Sequence, residues 1–136
     1  MTEKQALSRP IGRWLKEADA RLDAAFERSL KGSNVDRRGW QLLASLARRP
    51  TPRAELVSSL AAFDSPTALD SALSHLISNG WIEASAGLLR LTPDGEDKRA
   101  NLAPLIDEVR GQVATALPQD DYITLVGLLQ RLVAAL

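Results

Sequence analysis

The 136-residue chain is 45% hydrophobic and 25% charged, with equal numbers of acids and bases and no cysteine. This composition suits one soluble globular domain with a modest core and excludes an extended disordered chain. Without cysteine there are no disulfides, thiolate zinc sites or thiol switches, and with one histidine no metal site or other cofactor is expected.

No apolar run approaches the 18 or so residues that span a membrane, and the opening "MTEKQALSRP" lacks a signal-peptide core. The expectation is a cytoplasmic protein with no membrane partner. The zero net charge hides an asymmetry. Residues 1–53 carry 12 Lys and Arg against 6 Asp and Glu, whereas residues 54–136 carry 5 against 11. A basic half suggests an anionic partner on one side of the molecule.

In chain order, Ser8 is the expected cap and Pro10 the first turn of a helix of about 20 residues. Its apolar stripe is Ile11, Trp14, Leu15, Ala18, Leu22, Ala25, Phe26 and Leu30, and "KGSN" ends it. Asp36 caps a second helix with Trp40, Leu42, Leu43 and Leu46 inward. "RRPTP" breaks that helix, because proline disfavours helix in the residue before it. Thr51 is the expected cap, and Pro52 the opening, of a short third helix with Leu56, Val57 and Leu60. Ser65 caps and Pro66 starts a fourth, "SPTALDSALSHLISNG", with Leu69, Ala72, Leu73, Leu76 and Ile77 inward and Gly80 just past its end.

"WIEA" and "LLRLT" around "SAG" predict a small hairpin. Thr92 and Pro93 begin a fifth helix bearing Leu102, Ile106, Val113 and Leu117, with Pro104 as a bend. Pro118 restarts a sixth bearing Ile123, Val126, Leu129, Leu132 and Val133. No enzyme reading survives, since there is no usable Ser/His/Asp set, no phosphate-cradling glycine loop and no metal cluster.

At the centre of this order is a winged helix-turn-helix. "WQLLASL", the 65–80 helix, "GWIE" and "LTPDGE", in that order and spacing, resemble landmarks of MarR-family transcriptional regulators. The fold expected is mainly α with a small β-hairpin wing, a winged helix-turn-helix flanked by N- and C-terminal dimerisation helices. The division expected is 1–33 (N-terminal dimerisation helix), 34–93 (winged unit) and 94–136 (C-terminal dimerisation helices), in one intertwined domain. The resemblance implies a homodimer on a pseudo-palindromic site in double-stranded DNA, with repression the commoner mode. Ile11, Trp14, Leu15, Leu22, Val113, Leu117, Val126 and Leu129 would form the dimer interface; the alternative is that these stripes form a monomer's core.

Helix-turn-helix proteins set the N-terminal residues of the second helix against base edges. Here these are Ser65, Thr67, Asp70, Ser71 and Ser74, with His75 a turn on. Hydroxyls read bases weakly, and the bidentate arginine–guanine contact is missing. Asp70 either accepts from a cytosine amino group or is a solvent-facing acid favoured by the helix dipole. Affinity then falls to phosphate contacts, for which Arg37, Arg38, Arg48, Arg49 and Arg53 are candidates, with Arg53 and Thr51 foremost. The wing is short and uncharged at "ASAG". Only Arg90 remains where the family carries a minor-groove arginine, so binding weaker and more salt-sensitive than the family norm is expected. The resemblance also implies a small aromatic effector. Trp14, Phe26, Trp40 and Tyr122 are candidates to line its pocket, or else belong to the core. The competing functional reading is a degenerate winged-helix dimer that binds a protein or ligand and has little or no specific DNA binding.

Overall fold

A computed structural model of the chain describes residues 2–8 and 10–136, the side chains of residues 6–8 apart. Its elements are α1 (Glu3–Ser8), α2 (Ile11–Leu30), α3 (Arg37–Arg48), α4 (Arg53–Ser59), α5 (Pro66–Ser78), β1 (Ile82–Ser85), β2 (Leu88–Leu91), α6 (Pro93–Ala116) and α7 (Gln119–Ala135). The mainly helical architecture with one small hairpin is the one expected.

Where the expectations missed, the causes are local. Helix α1 has too few residues to show a hydrophobic period. It opens on a reciprocal cap: the Gln5 amide donates to Thr2 Oγ1, and the Thr2 amide donates to Gln5 Oε1. Ser8 therefore closes α1 instead of capping the next helix, and its side chain lies outside the described residues. Pro10, Pro52 and Pro118 each sit one position before their helix, with extended ψ and no side-chain cap. Thr51 is thereby released from capping. Its amide donates to Leu89 O at 3.0 Å and its carbonyl accepts from the Leu89 amide at 2.8 Å, so it pairs as a strand stub beside β2.

Three caps lie where the sequence puts them. Asp36 Oδ1 accepts from the Gly39 amide at 2.8 Å, Ser65 Oγ from Ala68 at 3.2 Å, and Thr92 Oγ1 from Gly95 at 3.0 Å. Each satisfies one orphan amide of a helix start. Ser65→Ala is expected to lower stability by about 1 kcal/mol, read as a shifted urea midpoint with an unchanged slope.

The core gathers where α3, α4, α5 and the hairpin meet. Leu42, Leu43, Leu56, Leu69, Leu73, Leu76 and Ile82 are fully buried there. The first half of α6 closes one side with Leu102 and Ile106, and the C-terminal end of α2 adds Leu30. The hairpin pairs Ile82 with Leu91 and Ser85 with Leu88, which leaves a two-residue tip of Ala86 and Gly87. Both tip residues have positive φ, +54° and +77°, as the right-handed twist of a two-residue hairpin demands.

Two stretches outside this core carry apolar side chains that the chain leaves uncovered. Residues 11–20 of α2 are all exposed. Helix α7 buries no residue at all, although Tyr122, Ile123, Leu125, Leu128 and Val133 lie along it. No helix of the described residues is long and apolar enough to cross a membrane.

Candidate nucleic-acid interface

Helices α4 and α5 with the turn 60–65 between them form the helix-turn-helix, and β1–β2 is the wing. The apolar stripe of α5 fixes which side chains remain outside. With Leu69, Leu73 and Leu76 inward, Thr67, Asp70 and Ser74 share one exposed face, and Ser71 and His75 lie on the flank toward α3; Ile77, expected inward, falls one position past Leu76 at the edge of the stripe and is exposed.

The winged unit 34–93 carries six arginines against five acids. Most of those arginines are paired. Arg37 Nη1 lies 2.5 Å from Asp23 Oδ1, and its guanidinium stacks 4.7 Å from the Phe26 ring. This fastens α3 to α2. Arg38 bonds Asp64 Oδ2 at 3.3 Å and Gln41 Oε1 at 2.5 Å, over the Phe63 ring. Both side chains are largely covered, at 20% and 16% exposure. The structure thus joins these two expected phosphate-binding arginines to helix packing.

Arg49 pairs with Glu55, and Arg53 Nε lies 3.2 Å from Asp70 Oδ1. The foremost phosphate candidate is therefore held by the acid on α5, a contact that nothing in either local segment announced. Thr51 is buried, with its hydroxyl donating to Arg49 O and its amide given to Leu89, so neither donor is free for a phosphate. Arg48 is exposed and stands outside the ion pairs of the described residues. Arg90 lies on β2 opposite Glu83, half-buried, with its Nε out of solvent and without a hydrogen-bond partner.

His75 Nε2 donates to Asn34 O at 2.8 Å, since a carbonyl only accepts, and the ring meets Trp81 edge-on at 6.3 Å. Ser71 and His75 line a groove of about 660 Å³ with Asp36, Arg38 and Asp64, beside the start of α3. Ser65 caps α5, and Thr67 and Ser74 are exposed. Of the expected DNA-contacting residues, all among the described ones, Thr67, Asp70, Ser74 and Arg53 come together as one outward surface.

The "GW" step at 80–81 and the "LTPDG" step at 91–95 meet at the root of the wing. The Thr92 hydroxyl donates to Gly80 O at 2.5 Å, and the Thr92 amide donates to Trp81 O at 3.1 Å. Gly80 takes φ +76°, the left-handed position after α5. Lys98 Nζ sits 4.8 Å from the Trp81 ring centre, which shields the ring on α6's side. These landmarks build the junction of wing and α6. On α6, Arg99 hydrogen-bonds Glu96, which holds the Glu96 carboxyl below its ordinary value.

A second concavity, of about 460 Å³, lies between the end of α2, the latter half of α6 and the start of α7. It is lined by Phe26, Val113, Leu117 and Tyr122 with Arg110 at its edge. Two of the four expected pocket aromatics meet here. Trp40 is in the core at 8% exposure, and Trp14 lies more than two turns upstream of Phe26 on the exposed half of α2, away from this lining. No group of three or more His, Asp or Glu among the described residues is arranged to hold a metal ion.

A helix-turn-helix, a two-stranded wing and long flanking helices define the winged helix-turn-helix class. The fold is, more particularly, that of the MarR-family regulators. A Mycobacterium tuberculosis MarR-family protein in complex with DNA superposes with a TM-score of 0.71 at 21% identity, over 91% of this chain and 98% of that one. A probable transcriptional regulator from Pseudomonas aeruginosa gives 0.78 at 28% identity, over 93% and 98%. BpsR of Bordetella bronchiseptica, whose DNA binding is regulated by 6-hydroxynicotinic acid, gives 0.80 at 19%, over 93% and 96%. No protein-family profile and no curated sequence matches the chain.

Proposed function

We propose that this chain is a homodimeric, DNA-binding transcriptional regulator of the MarR type and not an enzyme. The observation that carries the reading is α5. It is a capped helix with one face in the core, and it presents Thr67, Asp70 and Ser74 outward in the second position of a helix-turn-helix. Dimerisation is supported by α7, which carries a wide apolar face and has no fully buried residue in its own chain. A helix of that kind is stable only when something covers it, and the uncovered half of α2 offers a second apolar surface. The dimerisation arms are then 1–33 and 94–136, around the winged unit 34–93. Occupancy of a promoter suffices for repression, which is the mode we assign. The Phe26–Tyr122 groove, with Arg110 at its edge, suits a small aromatic acid as effector, in keeping with the 6-hydroxynicotinic acid that regulates BpsR.

A second reading is favoured by the paired arginines and the uncharged tip: a winged-helix dimer that has kept its shape and lost specific DNA binding. Fluorescence anisotropy on the promoter duplex flanking the chain's own gene separates the two. Binding at low salt that survives an excess of random duplex and weakens linearly on a log–log plot as salt rises supports the regulator. Flat anisotropy even at low salt, or binding that random duplex competes away, supports the degenerate dimer.

A further inference from the structure

We propose that Asp70 is a specificity-determining residue of the DNA-facing surface, acting through its ion pair with Arg53. The inference rests on the DNA-binding reading above and names how that surface discriminates. Arg53 opens α4 and Asp70 lies in the second turn of α5, so their 3.2 Å contact bridges the two helices of the helix-turn-helix. The helices themselves are held by Leu56, Leu69 and Leu73 beneath, which are fully buried. The pair is not needed to hold them. Both side chains are about half exposed, at 45% and 53%, in water that screens their attraction.

Asp70 stands three residues from Thr67 and four from Ser74, the two uncharged members of the same exposed face. It is thus the one charge α5 sets among its base-reading positions, and Arg53 cancels it while the protein is free. A phosphate competes for that guanidinium with the same geometry a carboxylate uses. Once Arg53 turns to the backbone, Asp70 is left facing base edges with acceptors only. Cytosine N4 and adenine N6 present amino donors in the major groove. Guanine and thymine present acceptors that a carboxylate repels. Arg53 thereby binds any DNA, and Asp70 rejects base pairs that place guanine O6 or thymine O4, instead of an amino group, on the strand it faces.

The test compares wild type, Asp70→Asn, Asp70→Ala, Arg53→Ala and the Arg53→Ala/Asp70→Ala double variant. Each is selected on a random duplex library and titrated on a random duplex across salt. Wild type is expected to enrich C or A at one step of each half-site by about tenfold. Asp70→Asn narrows that preference to adenine, which an amide reads bidentately, and Asp70→Ala abolishes it. Asp70→Ala also binds the random duplex about tenfold tighter at an unchanged salt slope, because Arg53 reaches the same phosphate in both proteins but no ion pair has to open first. In the Arg53→Ala background that gain in affinity shrinks. If the proteins bind but base preference and affinity are the same with and without Asp70, the proposal is overturned while the DNA-binding reading stands. If neither wild type nor any variant binds at low salt, the DNA-binding reading itself falls, and this proposal with it.

Discussion

Gly95→Ala is expected to be the most damaging of the glycine-to-alanine substitutions in this protein. A Cβ at Gly95 would lie 1.9 Å from the Trp81 carbonyl oxygen and 2.8 Å from its carbon. The obstacle is backbone, and that backbone is pinned on both sides. The Trp81 amide donates to Leu76 O, and the Trp81 carbonyl accepts from Thr92. Relief requires α6 to move off the root of the wing, which would open the contacts of Leu102 and Ile106 with the core. A cost of about 3 kcal/mol or more follows from overpacking of this kind, or a fall of roughly 10 °C in melting temperature for a domain of this size. Gly39→Ala provides the comparison. There the nearest atom is Val35 Cγ1, a side-chain methyl 2.9 Å away that can turn aside, so a loss of about 1 kcal/mol is expected. Thermal melts of the two variants that rank Gly39→Ala as the worse would contradict this packing account.

The second large effect belongs to α7. Leu125 and Leu128 are exposed on a helix with no buried residue. If two copies cover each other there, Leu128→Glu removes roughly 2 kcal/mol of burial per chain. Two-fold symmetry counts the loss twice, giving about 4 kcal/mol, or a thousandfold in the dimer dissociation constant. Sedimentation velocity at micromolar concentration is expected to show wild type as a dimer and Leu128→Glu as a folded monomer. DNA affinity should fall with it by about a hundredfold, since each half-site then binds alone. A monomeric wild type would remove the dimer from the account.

The features legible in the sequence are those whose causes lie within a few residues. Asp36, Ser65 and Thr92 cap helices whose first amides are three residues away, and Gly80 ends one by its own φ. The winged fold followed because these local signals fell in the right order. The candidate site was less legible because arginine is chosen by partners far along the chain. Asp23, Asp64 and Asp70 lie 14, 26 and 17 residues from Arg37, Arg38 and Arg53. Nothing local distinguishes a phosphate-binding arginine from one already paired. Thr51 misled for the same reason: a Thr-Pro step reads as a helix start, and the residue that claims it, Leu89, is on the wing. Leu125 and Leu128 lie outside the single stripe read along α7 because the apolar face of that helix is wider than one stripe, opposite a polar face of Asp120, Thr124 and Arg131. A signal was present there, since an apolar face that wide implies a partner surface.

The central claim is that two copies of this chain read DNA together. Its most direct test is to recover genomic fragments with the purified protein and sequence them. The account predicts enrichment of a pseudo-palindromic site whose half-sites lie about one helical turn, roughly 10 base pairs, apart. Recovery of fragments with no common sequence, or of none at low salt, would contradict it.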